Sequence, residues 1–323
     1  MANTSLCKEI SKLNCFSLSE YLAEMGVDTT TITSLQSSQI DEKVRRTTVM
    51  NPLFIVPLNE KPKTSEKQVT YASNDMHYMK NWLKDHTPSP TNDTQIREFM
   101  EKTFNFRRFQ IRTILRNATR IIQNYPRFID FQLGSLITSE FLLIFPNLKQ
   151  KFHSNFLNDY LLALIAYAKQ EDRDFECPND VLKALMLLLT THPAIRKNRR
   201  ISHKKIMERF IVFKKENEDL KNFISDKPSH LKQPFLVCIG TIIEPGAFYL
   251  VVDQYSIFCG NDVYNAFRNL YASFYTFFVE YPSFIRPFYE FFDEIIFQLE
   301  NNEISDTNLE FVQKLSNIEV SSK

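Results

Sequence analysis

Arg108, Arg112, Arg116 and Arg120 recur at every fourth residue. On one α-helix that spacing stacks them along a single face. No acidic residue lies between Glu101 and Asp130, so no ion pair within the helix would neutralise them. Guanidinium groups match phosphate geometry bidentately, so the ladder suits a nucleic acid or another polyanion. Arg107 and Arg127 flank it. A second basic cluster holds Arg196, Lys197, Arg199, Arg200, Lys204 and Lys205, with His203 among them. Its composition fits a nuclear-import signal or a phosphate-binding patch. The competing reading is structural: a solvated helix face, or one covered by an acidic part of the chain.

A third constellation is aromatic. Phe277, Tyr281, Phe284, Phe288 and Tyr289 belong to a dense run of rings from Phe267 to Phe297, accompanied only by Arg268 and Arg286. A base-stacking platform would mix such rings with more cations. Helical spacing assigns most of them to a core, and the excess beyond one core face is expected to bind a protein partner or a second copy.

Signals for enzymatic chemistry are thin. His77, His86, His153, His192, His203 and His230 never pair at i+3 or i+4, and neither a G-x-S-x-G nor a Walker pattern occurs. Asp130, Glu140, Asp253 and Asp293 could converge in space, but their spacing does not say so, and Asp253 reads as a turn residue after a strand. No catalytic residue, metal site or cofactor is expected. Cys7, Cys15, Cys177, Cys238 and Cys259 are odd in number and dispersed, with no C-x-x-C. They read as free thiols of a reducing compartment, hence an intracellular protein of nucleus or cytoplasm.

These residues need a scaffold, and the composition bounds it. The chain has 323 residues, 43% of them apolar, which suffices for a large core. Only 5 are glycine, which argues against dinucleotide fingerprints, P-loops and Gly-rich barrels. No uninterrupted apolar run reaches membrane-spanning length, and the opening MANTSLCKEISKLNC carries Lys and Glu where a secretory signal would be apolar. No membrane association is expected.

Leu18, Tyr21, Leu22 and Met25 suggest a first helix, followed by a Ser/Thr-rich stretch and a Pro-rich arm through residue 93 with one helix near 75–84. Trp82, the single tryptophan, is expected to dock that arm. Helices are then predicted over 94–100, 104–124, 138–145, 149–169 and 178–189, with 202–216 a further helix or partly strand. Residues 234–243 and 247–252 read as a hairpin around Glu244-Pro245-Gly246, and Tyr255 to Cys259 as a third strand. Helices over 262–280, with Asp262 near its start, and over 283–299 close the pattern, and a polar, frayed tail follows. Charge is segregated: residues 97–232 carry 25 Lys/Arg against 15 Asp/Glu, whereas 233–310 carry 2 against 11. The formal net charge of +1 hides this division.

Several segments look familiar together. They are Pro234 to Gly240, Phe248 to Asp253, Ala266-Phe267, Tyr281-Pro282, Phe106-Arg107-Arg108, Tyr125-Pro126-Arg127-Phe128 with Asp130, Ser139-Glu140-Phe141 and Phe145-Pro146. Over residues 100–298 the chain resembles the sterile alpha motif domain-containing protein 3-like proteins of metazoans. The resemblance rests on hydrophobic and turn patterns. Of the sterile alpha motif that some members carry, only Phe16 to Val27 is similar, to its first helix. The resemblance implies a non-enzymatic, multicopy, mobile-element-linked group with no established activity, and it supplies no catalytic residue. It also implies that Arg107 and Arg108 belong to a shared helix and serve structure.

The expectation is a mainly α protein: an arm over 1–93, a basic helical core over 94–232, an acidic α+β lobe over 233–300 with a hairpin or meander and two C-terminal helices, and a polar tail over 301–323. The expected role is a non-catalytic interaction protein that binds partners or itself through the aromatic lobe. The alternative is nucleic-acid binding by the arginine ladder and the 196–205 cluster.

Overall fold

The computed structural model describes residues 73–154, 157–196, 203–216, 218–299 and 303–318. The expected first helix, the arm before residue 73, Cys7, Cys15, Lys197, Arg199 and Arg200 lie outside them. Residues 1–78 and 79–323 are two units, and the helix Ser73–Asp85 spans the boundary. The architecture is mainly α with one small mixed sheet. Among the described residues no helix is long and apolar enough to cross a membrane.

The sheet holds β1 (Ile211–Lys214), β2 (Phe235–Gly240), β3 (Pro245–Val252) and β4 (Tyr255–Gly260) in that spatial order. β1 runs parallel to β2, and the other neighbours are antiparallel, with Leu236 opposite Leu250 and Leu250 opposite Ile257. Successive side chains alternate between faces. Leu236, Cys238, Phe248 and Leu250 therefore share the face that packs on the helix Val263–Thr276, while Phe235, Val237 and Val251 pack on Ile224 and Leu231. Burial on both faces explains why FLVCIG is an unbroken apolar run rather than an alternation. The β2–β3 turn needs Gly246, because a Cβ there would lie 2.3 Å from the Ile239 carbonyl oxygen. In the β3–β4 turn Asp253 takes a positive φ of 51°. Its carboxylate also accepts from the Thr119 N–H at 2.9 Å and hydroxyl at 2.8 Å. The turn is thereby tied to the start of the helix Ala118–Asn124.

Asp262 caps the helix Val263–Thr276 as its position suggests, accepting from the Tyr264 and Asn265 N–H groups. Trp82 packs edge-on against Phe99, with ring centroids 5.1 Å apart. A boundary at 232/233 would run between β1 and β2, which are paired, so the basic and acidic segments share one sheet.

Three expectations change. Residues 104–124 are not one helix. Phe104–Gln110 runs into a π turn over Ile111–Leu115, Arg116 turns left-handed at φ 49°, and the extended Asn117 starts the helix Ala118–Asn124. The Asn117 side chain accepts from the Arg120 N–H at 2.8 Å, an N-cap that competes with helix continuation. Residues 149–169 divide into helices Lys149–His153 and Asn158–Gln170. The polar tail contains the helix Asp306–Ser316, capped by Ser305, with Phe311 and Leu315 buried. Phe311 meets the rings of Tyr167 and His192 at centroid distances of 5.7 and 5.1 Å.

Asp293 is a fully buried carboxyl. Its Oδ1 accepts from the hydroxyls of Tyr271, Tyr275 and Tyr281 at 2.5, 2.8 and 2.9 Å. Burial pushes the carboxyl up to about 7, while the three tyrosine hydrogen bonds oppose the rise. A carboxyl raised from its ordinary 3.8 keeps its proton in the folded state after the unfolded chain has lost it. Its contribution is full below 3.8 and is lost as pH rises to about 7. Urea unfolding across pH 4–8 is expected to show wild type losing stability relative to Asp293→Asn up to about pH 7 and running parallel above it. A difference independent of pH would contradict the assignment.

Candidate functional site

The helix Ser135–Ile144 forms the floor of a cleft of about 550 Å³. Ser135, Thr138, Ser139 and Leu142 follow i, i+3, i+4, i+7 spacing and line it together with Leu143 and Pro146. Arg97, Met100 and Glu101 of the helix Asp93–Lys102 make one wall, and Lys149 and His153 another.

Arg107 and Glu140 meet at the base of the cleft, exposed by only 0% and 1%. The Arg107 Nε donates to Glu140 Oε2 at 3.1 Å, and its Nη2 also bonds that oxygen. Further Arg107 donors reach the Thr103 hydroxyl and the Met100 carbonyl, each at 2.8 Å. The neighbouring guanidinium of Arg108 donates to the Thr276 and Tyr275 carbonyls at 2.8 and 3.0 Å. It also lies 3.5 Å from Glu140 Oε1. Burial lowers the Arg108 pKa to about 10 against the pull of Glu140, so the side chain stays cationic at neutral pH. One buried carboxylate therefore compensates two buried guanidinium groups.

The rim at the Lys149 end is cationic. His153 Nδ1 lies 3.4 Å from an Arg268 Nη1. Burial, then Arg268 and Lys149, hold the imidazole below its ordinary pKa. Among the described residues, no acidic group forms an ion pair with Lys149, His153 or Arg268.

The sequence-predicted sites fare differently. Arg108 is buried and Arg112 half-buried, while Arg116 and Arg120 are exposed on the far side of the helix break, so the ladder does not form one face. Arg196 pairs with Glu171 at 2.6 Å, and Lys204 and Lys205 are exposed. The aromatic partner surface is corrected. Phe277, Tyr281, Phe288 and Tyr289 are at most 2% exposed. The rings consume one another: Tyr281 stacks on Tyr289 at 4.7 Å, Phe128 meets Phe277 at 5.7 Å, and Phe267 meets Phe288 at 6.1 Å. Phe284 is half-buried beneath the Arg209 guanidinium, 4.9 Å from its centroid. Cys177, Cys238 and Cys259 are buried free thiols.

Sequence reasoning weighed Glu140 only as a scattered acid, because its partner Arg107 is 33 residues away. It also missed the buried His192, whose Nε2 is 2.8 Å from the Asn308 side-chain oxygen. Asn308 in turn donates to Glu294 at 2.7 Å. No three His, Cys, Asp or Glu side chains gather to hold a metal ion among the described residues. The cleft can fix an anion beside an apolar wall. Compared with protein-family models, curated proteins and solved structures, the chain has no match.

Glu140→Ala strands two buried cations, and breaking a buried pair from one side costs about 3–5 kcal/mol. Urea titration is expected to show that loss at pH 7. A loss below ~1 kcal/mol would place the arginines in contact with water instead.

Proposed function

We propose that this chain is a non-catalytic interaction protein that holds an acidic, amphipathic segment of a protein partner in the cleft over Ser135–Ile144. The observation that carries this reading is the juxtaposition of Lys149 and His153 with the apolar wall of Leu142, Leu143 and Pro146, with Arg268 behind His153 at 3.4 Å. A carboxylate at the cationic end makes charge-assisted hydrogen bonds, and apolar neighbours cover the half-buried leucines. The resemblance over residues 100–298 is compatible with a binding role, since it supplies no catalytic residue. Nucleic acid is the weaker partner class: Arg108 is committed to backbone carbonyls, and of the ladder only Arg116 and Arg120 stay exposed.

Selection of a displayed random-peptide library on the whole chain tests the reading. The expected consensus combines acidic and apolar residues. Leu143→Glu and Lys149→Glu are each expected to weaken the selected peptides by about tenfold, a change of about 1.4 kcal/mol, without changing the melting temperature. A consensus without acids, or equal binding by both variants, defeats the reading. A second readout is the His153 imidazole. NMR titration is expected to place it below the ordinary histidine range in the free chain and to move it upward when a selected peptide is bound, because the carboxylate offsets Lys149 and Arg268. An unmoved titration would place the peptide elsewhere.

A further inference from the structure

We infer that the outer edge of β1 is a second binding site, which accepts an extended acidic peptide as an added strand. The Leu236 N–H donates to the Phe210 carbonyl at 2.8 Å, which fixes the phase of the parallel ladder. Phe210, Val212 and Lys214 thus turn their backbone groups toward β2, and Ile211 and Phe213 turn theirs outward. The opposite edge differs, because β4 packs against the helix Arg127–Asp130 and the turn Gln132–Gly134. Among the described residues no strand pairs with the outer edge of β1.

A hollow of about 540 Å³ runs beside that edge. Ile211, Val212, Phe213 and Lys214 all border it. Consecutive strand side chains point to opposite faces, so a hollow touched by four in a row follows the edge rather than one face. Met207, Phe223 and Leu231 give it apolar walls. An incoming strand would find four outward backbone groups flanked by surfaces for alternate apolar side chains.

Charge selects the occupant. Residues 203–218 carry five Lys/Arg against three Asp/Glu, with Lys214 of the strand paired to Glu218 at 2.6 Å. Of the three acids, Glu208 in the wall lies within hydrogen-bond distance of His230 Nε2, at 3.2 Å. Lys204, on the rim, is exposed. Lysines at a sheet edge oppose pairing with a like copy. Two β1 edges brought together would set these cations against each other, whereas an acidic strand turns the same charges into attraction.

The test uses the whole chain and peptides from the displayed random library. One class of peptides is expected to bind Leu143→Glu as wild type but to lose about tenfold or more with Phe213→Pro and with Lys204→Glu. Phe213→Pro deletes an outward N–H and no β1–β2 bond, a substitution that edge strands tolerate. N-methylation of alternate peptide amides is expected to abolish binding to wild type, while methylation of the intervening amides leaves it intact. That peptide series decides the matter by itself if Phe213→Pro unfolds. The inference is overturned if no such class appears, or if N-methylation has no alternating effect. It is also overturned if light scattering finds a dimer that Lys204→Glu strengthens, which would make a second copy the occupant. Peptides lost only with Leu143→Glu report on the cleft and leave this inference without its expected class.

Discussion

Arg108 closes the negative end of the helix Val263–Thr276. The last carbonyls of any helix lack partners within it and carry the negative pole of its dipole. In Val263–Thr276 two of them, on Tyr275 and Thr276, accept from one buried guanidinium. A guanidinium can be buried there only because Glu140 lies beside it, and Glu140 is shared with Arg107. The helix so fixed carries the sheet on one side. Through Tyr271 and Tyr275 it also presents two of the three hydroxyls around Asp293. The acceptors of Arg108 and the donors to Asp293 thus meet in Tyr275, whose carbonyl serves one and whose hydroxyl serves the other.

The same constraint shapes the cleft. Glu140 belongs to the helix that forms the cleft floor, and its carboxylate is pinned by Arg107 from a neighbouring helix. Arg107 is held in turn by Thr103 and Met100. The buried charges at the base are thus engaged with one another, and the exposed charges that line the cleft include Glu101 and Lys149.

Periodicity and turn chemistry made much of the fold legible. The hairpin follows from two β-rich runs around Pro245-Gly246, and Asp262 announces the helix that it caps. The arginine ladder was not legible. A four-residue repeat cannot reveal that Asn117 caps a new helix or that Arg116 turns left-handed. The aromatic run misled for a related reason: ring counts show an excess over one helix face but not that Phe288 and Tyr289 of the helix Arg286–Phe291 pack edge-on against Phe267 and Phe274. In the tail, Phe311 and Leu315 stand four apart and were a usable signal, outweighed by polar neighbours. β1 is four residues long and parallel to a distant strand, so no hairpin turn marks it.

Charge segregation takes on a different meaning once the partners are placed. Interlobe attraction would have the acids of 233–310 neutralise the arginines of 97–232. The structure satisfies the buried arginines differently. Arg107 and Arg108 share Glu140, which is itself in the basic segment, and the part of the C-terminal segment that Arg108 touches is neutral carbonyl. Near the cleft Lys149 and Arg268 form no ion pair with an acidic group among the described residues, whereas on β1 Lys214 pairs with Glu218. Opposed charges on one small body orient an approaching acidic segment over roughly a Debye length, about 8 Å at physiological salt. On the proposed reading both surfaces would prefer an acidic segment, although the cleft and the β1 edge share no residue.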